Sequence, residues 1–361
     1  MRPLQVAPRI ERLGARLADA GVDALIVAGL QNVRYLTGFT GSAGVLALHG
    51  SGALLTTDGR YRTQSAEEVA VAGAAVEIFV GTLAAQRDAV KAFVSAAAHV
   101  GLEADHVSWS ESRLWSGAVG EVVPTTGLVE ALREIKDDGE IDRVARAAAI
   151  ADGALEEVLA MLSSGVTEAE LALALDTAMR RNGADSPAFE TIVASGQNSA
   201  KPHHRPTQRG IGRGEPVVVD FGATFDGYRS DMTRTLFAGG EPQGELAKVF
   251  AVVHDAQARG VASVAPGVGC KEVDEVCRRV ITEAGWADRF EHGTGHGVGL
   301  DIHEAPTVSP LGTATLASGM IVTVEPGVYL PGIGGVRIED TLVVTEAGSR
   351  MLTTFPKTPA A

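Results

Sequence analysis

The stretch "EPVVVDFGATFDGYRSDMTRTLF", Glu215 to Phe237, decides how much of the chain folds. Two apolar runs flank Asp226-Gly227, a pair that favours a two-residue type I′ hairpin because both positions tolerate positive φ. That turn fixes a register in which Asp220 faces Thr233 and Asp231 faces Gly222. Residues 220 and 222 share a strand face, so both carboxylates project from one side as diagonal neighbours, about 7–8 Å apart at Cα. Carboxylates with that reach can converge on one or two cations. Asp220 also follows three valines, where an unpaired carboxylate is costly to bury. The plainer alternative is a pair of strand-end aspartates bound to solvent or to Arg234.

A second strand pair is expected in "MIVTVEPGVYLPGIGGVRIEDTLVV" (320–344). Glu325 ends an apolar strand before Pro326-Gly327. On the return, Arg337 and Glu339 share the face opposite Val336 and Ile338. An Arg337–Glu339 surface ion pair is the simplest reading, and such pairs contribute little to stability.

Between the two strand pairs lies "EHGTGHGVGLDIH" (291–303), holding three of the nine histidines. A dinucleotide loop needs G-x-G-x-x-G between a strand and a helix. Here the spacing is G-x-G-x-G-x-G, no apolar strand precedes Gly293, and Gly299 and Pro306 would break a helix on its C-terminal side. "HEAPT" is not a zincin helix, because Thr307 stands where the second histidine belongs. What remains is His292, His296 and His303 on glycine-permitted backbone. One histidine among four carboxylates makes a hard-leaning ligand set of dinuclear size, suited to ions such as Mn²⁺. The polar loop "ASGQNSAKPHHRPT" (194–207) adds His203 and His204 and, taken alone, reads as a solvated loop.

Composition narrows the classes. A chain of 361 residues with 45% hydrophobic content can form two domains around sizeable cores. The formal net charge of −14 disfavours phosphate-backbone binding and anionic membrane surfaces, so neither nucleic acid nor membrane is expected as a partner. Cys277 falls on the apolar stripe of "KEVDEVCRRVITEA" (271–284) with Val273, Val280 and Ile281, as core filler. Seven helical residues rise about 10 Å, too far for a disulfide to Cys270. With no zinc-type cysteine pair, no signal-type N-terminus and no apolar run of membrane-spanning length, a cytoplasmic enzyme or binding protein is expected.

Periodicity predicts a helix over 8–20, strands at 24–30, 44–50, 53–57 and 75–80, and a helix over 83–97, giving a small α/β domain. The alanine-rich, charged segment 132–162 opens a second domain with helices at 139–162, 167–182, 243–264 and 271–284. The boundary is placed between 131 and 132. Helices followed by a hairpin recur in that domain, a hint of two related halves.

The motifs "VVVDFG", "SDMTRT", "GTGHGVGLDIHE", "TVEPGVY" and "GVRIEDT" together resemble the pita-bread metallopeptidases, in order and spacing. "NVRYLTGFTGSAG", "LLTTDGRYRTQS" and "REIKDDGEI" resemble the creatinase/prolidase-like N-terminal domain and interdomain segment of Xaa-Pro peptidases. The resemblance implies an α/β N-terminal domain followed by an α+β pita-bread catalytic domain. It implies two divalent metal ions, Mn²⁺ foremost with Co²⁺ or Zn²⁺ as alternatives. Asp220 would hold one ion, His296 and Glu325 the other, and Asp231 and Glu339 would bridge them. His203 would act on the leaving-group side, His303 at the scissile carbonyl and Glu325 as proton shuttle. Tyr329 and His292 would line a proline pocket, and Arg337 would orient a carboxylate ligand.

The same resemblance implies a homodimer acting on proline-containing peptides. Methionine aminopeptidases lack such an N-terminal domain. Creatine amidinohydrolase and metal-free binding proteins on this fold do without the five ligands that stand here. The expectation is a peptidase of the Xaa-Pro bond, an aminopeptidase acting at peptide N-termini in preference to a dipeptidase. The glycines around His296 are expected to let the backbone bend, so that His296 meets metal while His303 meets substrate.

Overall fold

The computed structural model describes residues 1–358, and the chain divides into two compact units, 3–133 and 134–361 with Met1–Arg2. In the first unit, strands β1 (Ala24–Val27), β2 (Val45–His49), β3 (Gly52–Thr57), β4 (Glu77–Val80), β5 (Val100–Glu103) and β6 (Val122–Thr125) form one sheet in the order β4-β3-β2-β1-β5-β6. Antiparallel β1–β2 and β2–β3 pairs sit among parallel β3–β4, β1–β5 and β5–β6 pairs. Helices α1 (Arg9–Gly14), α2 (Leu30–Thr37), α3 (Arg62–Ala72), α4 (Leu83–Phe93), α5 (Trp109–Val119) and α6 (Glu130–Arg133) complete the α/β unit. Ala24, Ile26, Val90, Leu102 and Trp115 are part of a buried core there. Burying one such aliphatic side chain contributes roughly 1.5–3 kcal/mol.

Three sequence expectations for this unit need correction. The helix expected over 8–20 keeps α-geometry only to Gly14 and then tightens into i→i+3 turns, such as Arg16 N to Leu13 O and Ala20 N to Leu17 O. Leu13 and Leu17 stay buried. The strand expected over 24–30 stops at Val27 because the Glu103 carboxylate accepts from the next amides, Ala28 N and Gly29 N, both at 2.8 Å, and α2 begins at Leu30. The helix expected over 83–97 ends at Phe93, where the Ser95 hydroxyl donates to Ala92 O and competes with the backbone ladder.

One polar cluster closes this unit. Asn32 Nδ2 donates to Glu103 Oε1 at 2.7 Å and Glu130 Oε1 at 2.6 Å, while Asn32 Oδ1 accepts from Arg133 at 2.7 Å. His106 Nε2 lies 2.7 Å from Glu130 Oε1.

The second unit carries α7 (Asp138–Val158), α8 (Glu168–Arg181), α9 (Gly244–Ser263) and α10 (Cys270–Glu283). Capping boxes at Asp137/Glu140 and Thr167/Glu170 start the first two. Strands β7 (Ser186–Pro187), β8 (Ile192–Ser195), β9 (Pro216–Phe221), β10 (Ala223–Phe225), β11 (Tyr228–Arg229) and β12 (Met232–Phe237) come after α8. After α10 come β13 (Gly295–Gly297), β14 (Glu304–Val308), β15 (Ile321–Val324), β16 (Gly327–Leu330), β17 (Gly334–Arg337), β18 (Asp340–Thr345) and β19 (Gly348–Met351). One core joins α7 and α8 to β8, β9 and β12; another joins α9 and α10 to β15, β16, β17 and β18. The recurring helix-then-hairpin pattern thus corresponds to two half-units, each packing its own helix pair on its own strands.

Asp226 and Gly227 both have positive φ, 45° and 73°, as a type I′ turn requires. The register matches the expected one on both sides of the turn: Phe225 pairs with Tyr228, Thr224 with Arg229, and Thr233 with Asp220. Ladder bonding lapses at Gly222 and Asp231, but the neighbours on either side, Ser230 N on Ala223 O and Met232 opposite Phe221, keep the expected register through the gap. Cys270 and Cys277 are free and buried, and Cys277 packs in the second core as expected. No helix among the described residues is long and apolar enough to cross a membrane.

Candidate metal centre and active site

Asp231 lies between β11 and β12, and Asp220 comes from β9. Both belong to the first half-unit. His296 from β13, Glu325 after β15 and Glu339 between β17 and β18 belong to the second. Hydrogen bonds to the backbone stitch the halves together here: Glu339 N donates to Thr233 O at 3.1 Å, and the Thr341 hydroxyl donates to Asp231 O at 2.8 Å.

The ligand-type atoms of Asp231, His296 and Glu339 lie within 4.8 Å of one another. His296 Nε2 is 3.6 Å from Asp231 Oδ2 and 3.4 Å from Glu325 Oε1. His296 Nδ1 contacts Gly297 O at 3.0 Å, which leaves Nε2 as the nitrogen facing the carboxylates. Asp220 joins through Arg337, whose Nη2 donates to Asp220 Oδ2 at 2.7 Å. The Arg337–Glu339 pair expected from their spacing does not form. Glu339 Oε2 instead accepts from the Thr233 hydroxyl at 2.7 Å, and Arg337 Nε donates to that same hydroxyl at 3.1 Å. Arg234 is turned away from the aspartates and donates to Asp340, Glu339 O and Phe355 O.

The donor set fits divalent cations. Asp220 Oδ1 and Glu339 Oε1 are buried and accept no hydrogen bond, an expensive condition for a carboxylate oxygen unless an ion takes it up. Burial raises the Asp231 and Glu339 carboxyls well above the ordinary range, and the neighbouring carboxylates add to this. Burial also lifts Glu325 to about 8, with Asp220 adding to the rise and Arg337 opposing it. Burial keeps His296 neutral by lowering it to about 4, the form that ligates metal. Four crowded carboxylates and a neutral imidazole make a hard, anionic nest that two divalent ions would neutralise.

The backbone is irregular at His296, where the β13–β14 register shifts between His296 and Gly297, in line with the expected bend, and the glycines beside it serve a second end as well. Gly295 and Gly297 sit on a strand pressed between β14 and β15. A Cβ would lie 2.0 Å from Thr323 O at Gly295 and 2.2 Å from Ala305 O at Gly297. They also permit close backbone approach, which holds His296 in place.

His292, Tyr329 and Arg337 form one chain of hydrogen bonds. Arg337 Nη1 donates to the Tyr329 hydroxyl at 2.7 Å, that hydroxyl lies 2.9 Å from His292 Nε2, and His292 Nδ1 lies 2.8 Å from Gly293 O. Burial and Arg337 lower His292 to about 4, and burial raises Tyr329 to about 12. Both rings are therefore neutral, with their polar atoms mutually satisfied. His203 and His303 are exposed, and the His303 ring stands 4.3 Å, centroid to centroid, from that of His296. Although its edge reaches solvent, the inner part of the His303 ring is desolvated, and that partial burial, helped by His203, lowers its pKa.

Several supporting residues escaped the sequence reading. Asp274 and Arg278 on α10 hold the 290–294 segment: Asp274 Oδ1 accepts from Thr294 N and its hydroxyl, and Arg278 donates to Phe290 O and His292 O. Lys136 donates to Glu304 Oε2 at 3.1 Å, and Glu304 Oε1 accepts from Asp301 N, just before His303. Thr323 bonds both His296 N and Glu325 Oε1. Only Thr233 had a usable signal, as the register partner of Asp220.

Known proteins share this architecture. The family model described as metallopeptidase family M24 matches residues 142–346, and that of the creatinase/prolidase N-terminal domain matches 9–135. The uncharacterized peptidase YqhT of Bacillus subtilis is 41% identical over 97% of this chain and 98% of its own length. An Xaa-Pro dipeptidase from Bacillus anthracis superposes with a TM-score of 0.94 at 41% identity, covering 98% of this chain and 99% of that one. An X-Pro aminopeptidase from Thermotoga maritima superposes with a TM-score of 0.86 at 35% identity, covering 96% and 100%. The acidic nest and the chemistry of the matched family agree in requiring divalent metal ions. The chain belongs to metallopeptidase family M24, with a creatinase/prolidase N-terminal domain ahead of a pita-bread catalytic domain.

Proposed function

We propose that this enzyme hydrolyses the Xaa-Pro bond at the N-terminus of proline-containing peptides, with two Mn²⁺ ions held by Asp220, Asp231, His296, Glu325 and Glu339. The observation that carries this reading is the position of Arg337. One guanidinium donates to Asp220 in the acidic nest and to Tyr329 in the His292–Tyr329 pair. The reacting centre is thereby tied to two neutral rings suited to pack against a pyrrolidine. The names of both the B. anthracis and the T. maritima neighbours support action at proline.

An Xaa-Pro bond is a tertiary amide without an N–H, so its nitrogen must leave as a secondary amine. Divalent ions, held by Asp220, Asp231, His296, Glu325 and Glu339, would supply the Lewis acidity that favours ionisation of water and polarisation of the carbonyl. Glu325 takes the water proton and hands it to the prolyl nitrogen. His303 donates to the developing oxyanion, a contribution commonly worth about 3–4 kcal/mol. His203 bonds on the leaving-group side, and His292 and Tyr329 hold the proline ring.

The aminopeptidase form of this reading rests on where the cations go. A dipeptidase must read the free proline carboxylate. Arg337 is committed to Asp220 and Tyr329, Arg209 to Glu215 and Ser195, and Lys201 to Asn198 Oδ1. Arg205 is exposed and 3.5 Å from Glu190. The dipeptidase form is favoured by the name of the B. anthracis neighbour. Measuring kcat/KM for an Xaa-Pro-Yaa tripeptide and the matching Xaa-Pro dipeptide on one Mn²⁺-loaded preparation decides between them. The tripeptide is expected to be the better substrate, and a clear preference for the dipeptide would reverse the assignment.

A further inference from the structure

Glu168, at the start of α8, is fully buried, and six hydrogen bonds converge on its carboxylate. Oε1 accepts from Ser195 N and the Ser195 hydroxyl, both at 2.8 Å, and from Asn198 Nδ2 at 3.1 Å. Oε2 accepts from His204 Nε2 at 2.9 Å, Thr207 N at 3.1 Å and the Thr207 hydroxyl at 2.7 Å. Every donor lies between residues 195 and 207. Burial alone would raise this carboxyl, but the donors of Thr207, His204, Ser195 and Asn198 outweigh it and hold it at about 2. The first turn of a helix favours the ionised form as well. Arg209 touches the cluster through the Ser195 hydroxyl, at 2.7 Å.

The same segment carries His203. That side chain is exposed and makes no hydrogen bond among the described residues, whereas its neighbour His204 is buried. A turn holds the backbone between them, with Lys201 N on Asn198 O and His204 N on Lys201 O. With His204 anchored inward and that turn fixed, the direction of the His203 side chain is set. A saturated, ionised carboxylate whose donors all come from one loop acts as a clamp on that loop.

We propose that Glu168 and His204 are positioning residues that act through His203, the buried His204 anchored on Glu168 holding the exposed His203 over the reacting centre. This inference rests on the role given to His203 above. It also gives His204 a task that its sequence context does not reveal.

The test is a double-mutant cycle on the metal-loaded full chain: wild type, H204L, H203A and the H203A/H204L double variant, with kcat, KM and bound metal measured for each. H204L is expected to lower kcat roughly tenfold or more, within the range for one misplaced catalytic donor, with KM and metal content unchanged. In the H203A background the same substitution should cost nothing further. H204Q, whose amide can still donate to Glu168, should keep most of the activity. Equal losses in both backgrounds, or loss of metal in H204L, would overturn the proposal. An unchanged kcat in H203A would instead remove the role of His203 itself, and the proposal with it. If H204L does not fold, T207V weakens the same clamp more gently, and its cost should likewise vanish when His203 is absent.

Discussion

Two clusters in this molecule share a composition and differ in what fills them. In the N-terminal unit, Glu103, His106 and Glu130 bring ligand-type atoms within 4.8 Å of one another, as Asp231, His296 and Glu339 do in the catalytic unit. In the first, the amide of Asn32 bonds both carboxylates and sits within 3.3 Å of His106 Nε2, and Arg133 holds the amide from behind. Burial raises Glu103, with Gly29, Asn32 and Ala28 opposing; at Glu130 burial is outweighed by the Asn32 and His106 bonds, which lower it. In the second, buried oxygens of Asp220 and Glu339 have no donor. Acid count and spacing therefore do not separate a structural cluster from a metal centre. What separates these two clusters is acceptors left unspent beside other carboxylates; a lone one carries no such meaning, since Asp152 Oδ1 on α7 is also buried without a donor.

The sharpest way to break this contrast is Asp231→Asn. An amide is a neutral and weaker ligand for a hard cation, so activity should be abolished and metal content should fall. Full activity with two metals per chain would sink the assignment. Next in size, His203→Ala and His303→Ala should each cost roughly 10²–10³-fold in kcat with metal stoichiometry unchanged, because neither is placed as a ligand. Loss of a metal in either variant would mean that the histidine roles are misassigned.

These predictions concern residues legible in the sequence, and the reason is geometric. The Asp226-Gly227 turn fixes the pairing of β9 with β12, so Asp220 and Thr233 can be placed opposite each other by counting outward from the turn. Motif order then brings His296, Glu325 and Glu339 to the same place by resemblance. The second layer is not legible in this way. Glu168 and His204, Asp274 and Thr294, and Lys136 and Glu304 are pairs distant in sequence and joined only by tertiary packing, so no local period marks them. Arg337 shows the limit most plainly. Its spacing from Glu339 suggests a surface pair, but the strand breaks between β17 and β18, and the guanidinium goes to Asp220.

Smaller effects are expected in the N-terminal cluster. Asn32→Ala strips a donor from two carboxylates and should destabilise that unit by about 1–3 kcal/mol, measured by denaturant unfolding, without changing metal content. Glu130→Gln should leave both metal content and kcat at wild-type values. Loss of bound metal in Glu130→Gln would show that the N-terminal cluster holds an ion and would erase the distinction drawn between the two regions.

The most direct test counts metal and activity together. Chelator-stripped enzyme is titrated with Mn²⁺ while bound metal per chain and hydrolysis of an Xaa-Pro peptide are monitored on the same samples. The expected result is saturation at two ions per chain, with hydrolysis absent in the stripped enzyme and rising as the sites fill. Undiminished Xaa-Pro hydrolysis by metal-free chain, or two bound ions with no hydrolysis, would contradict the account.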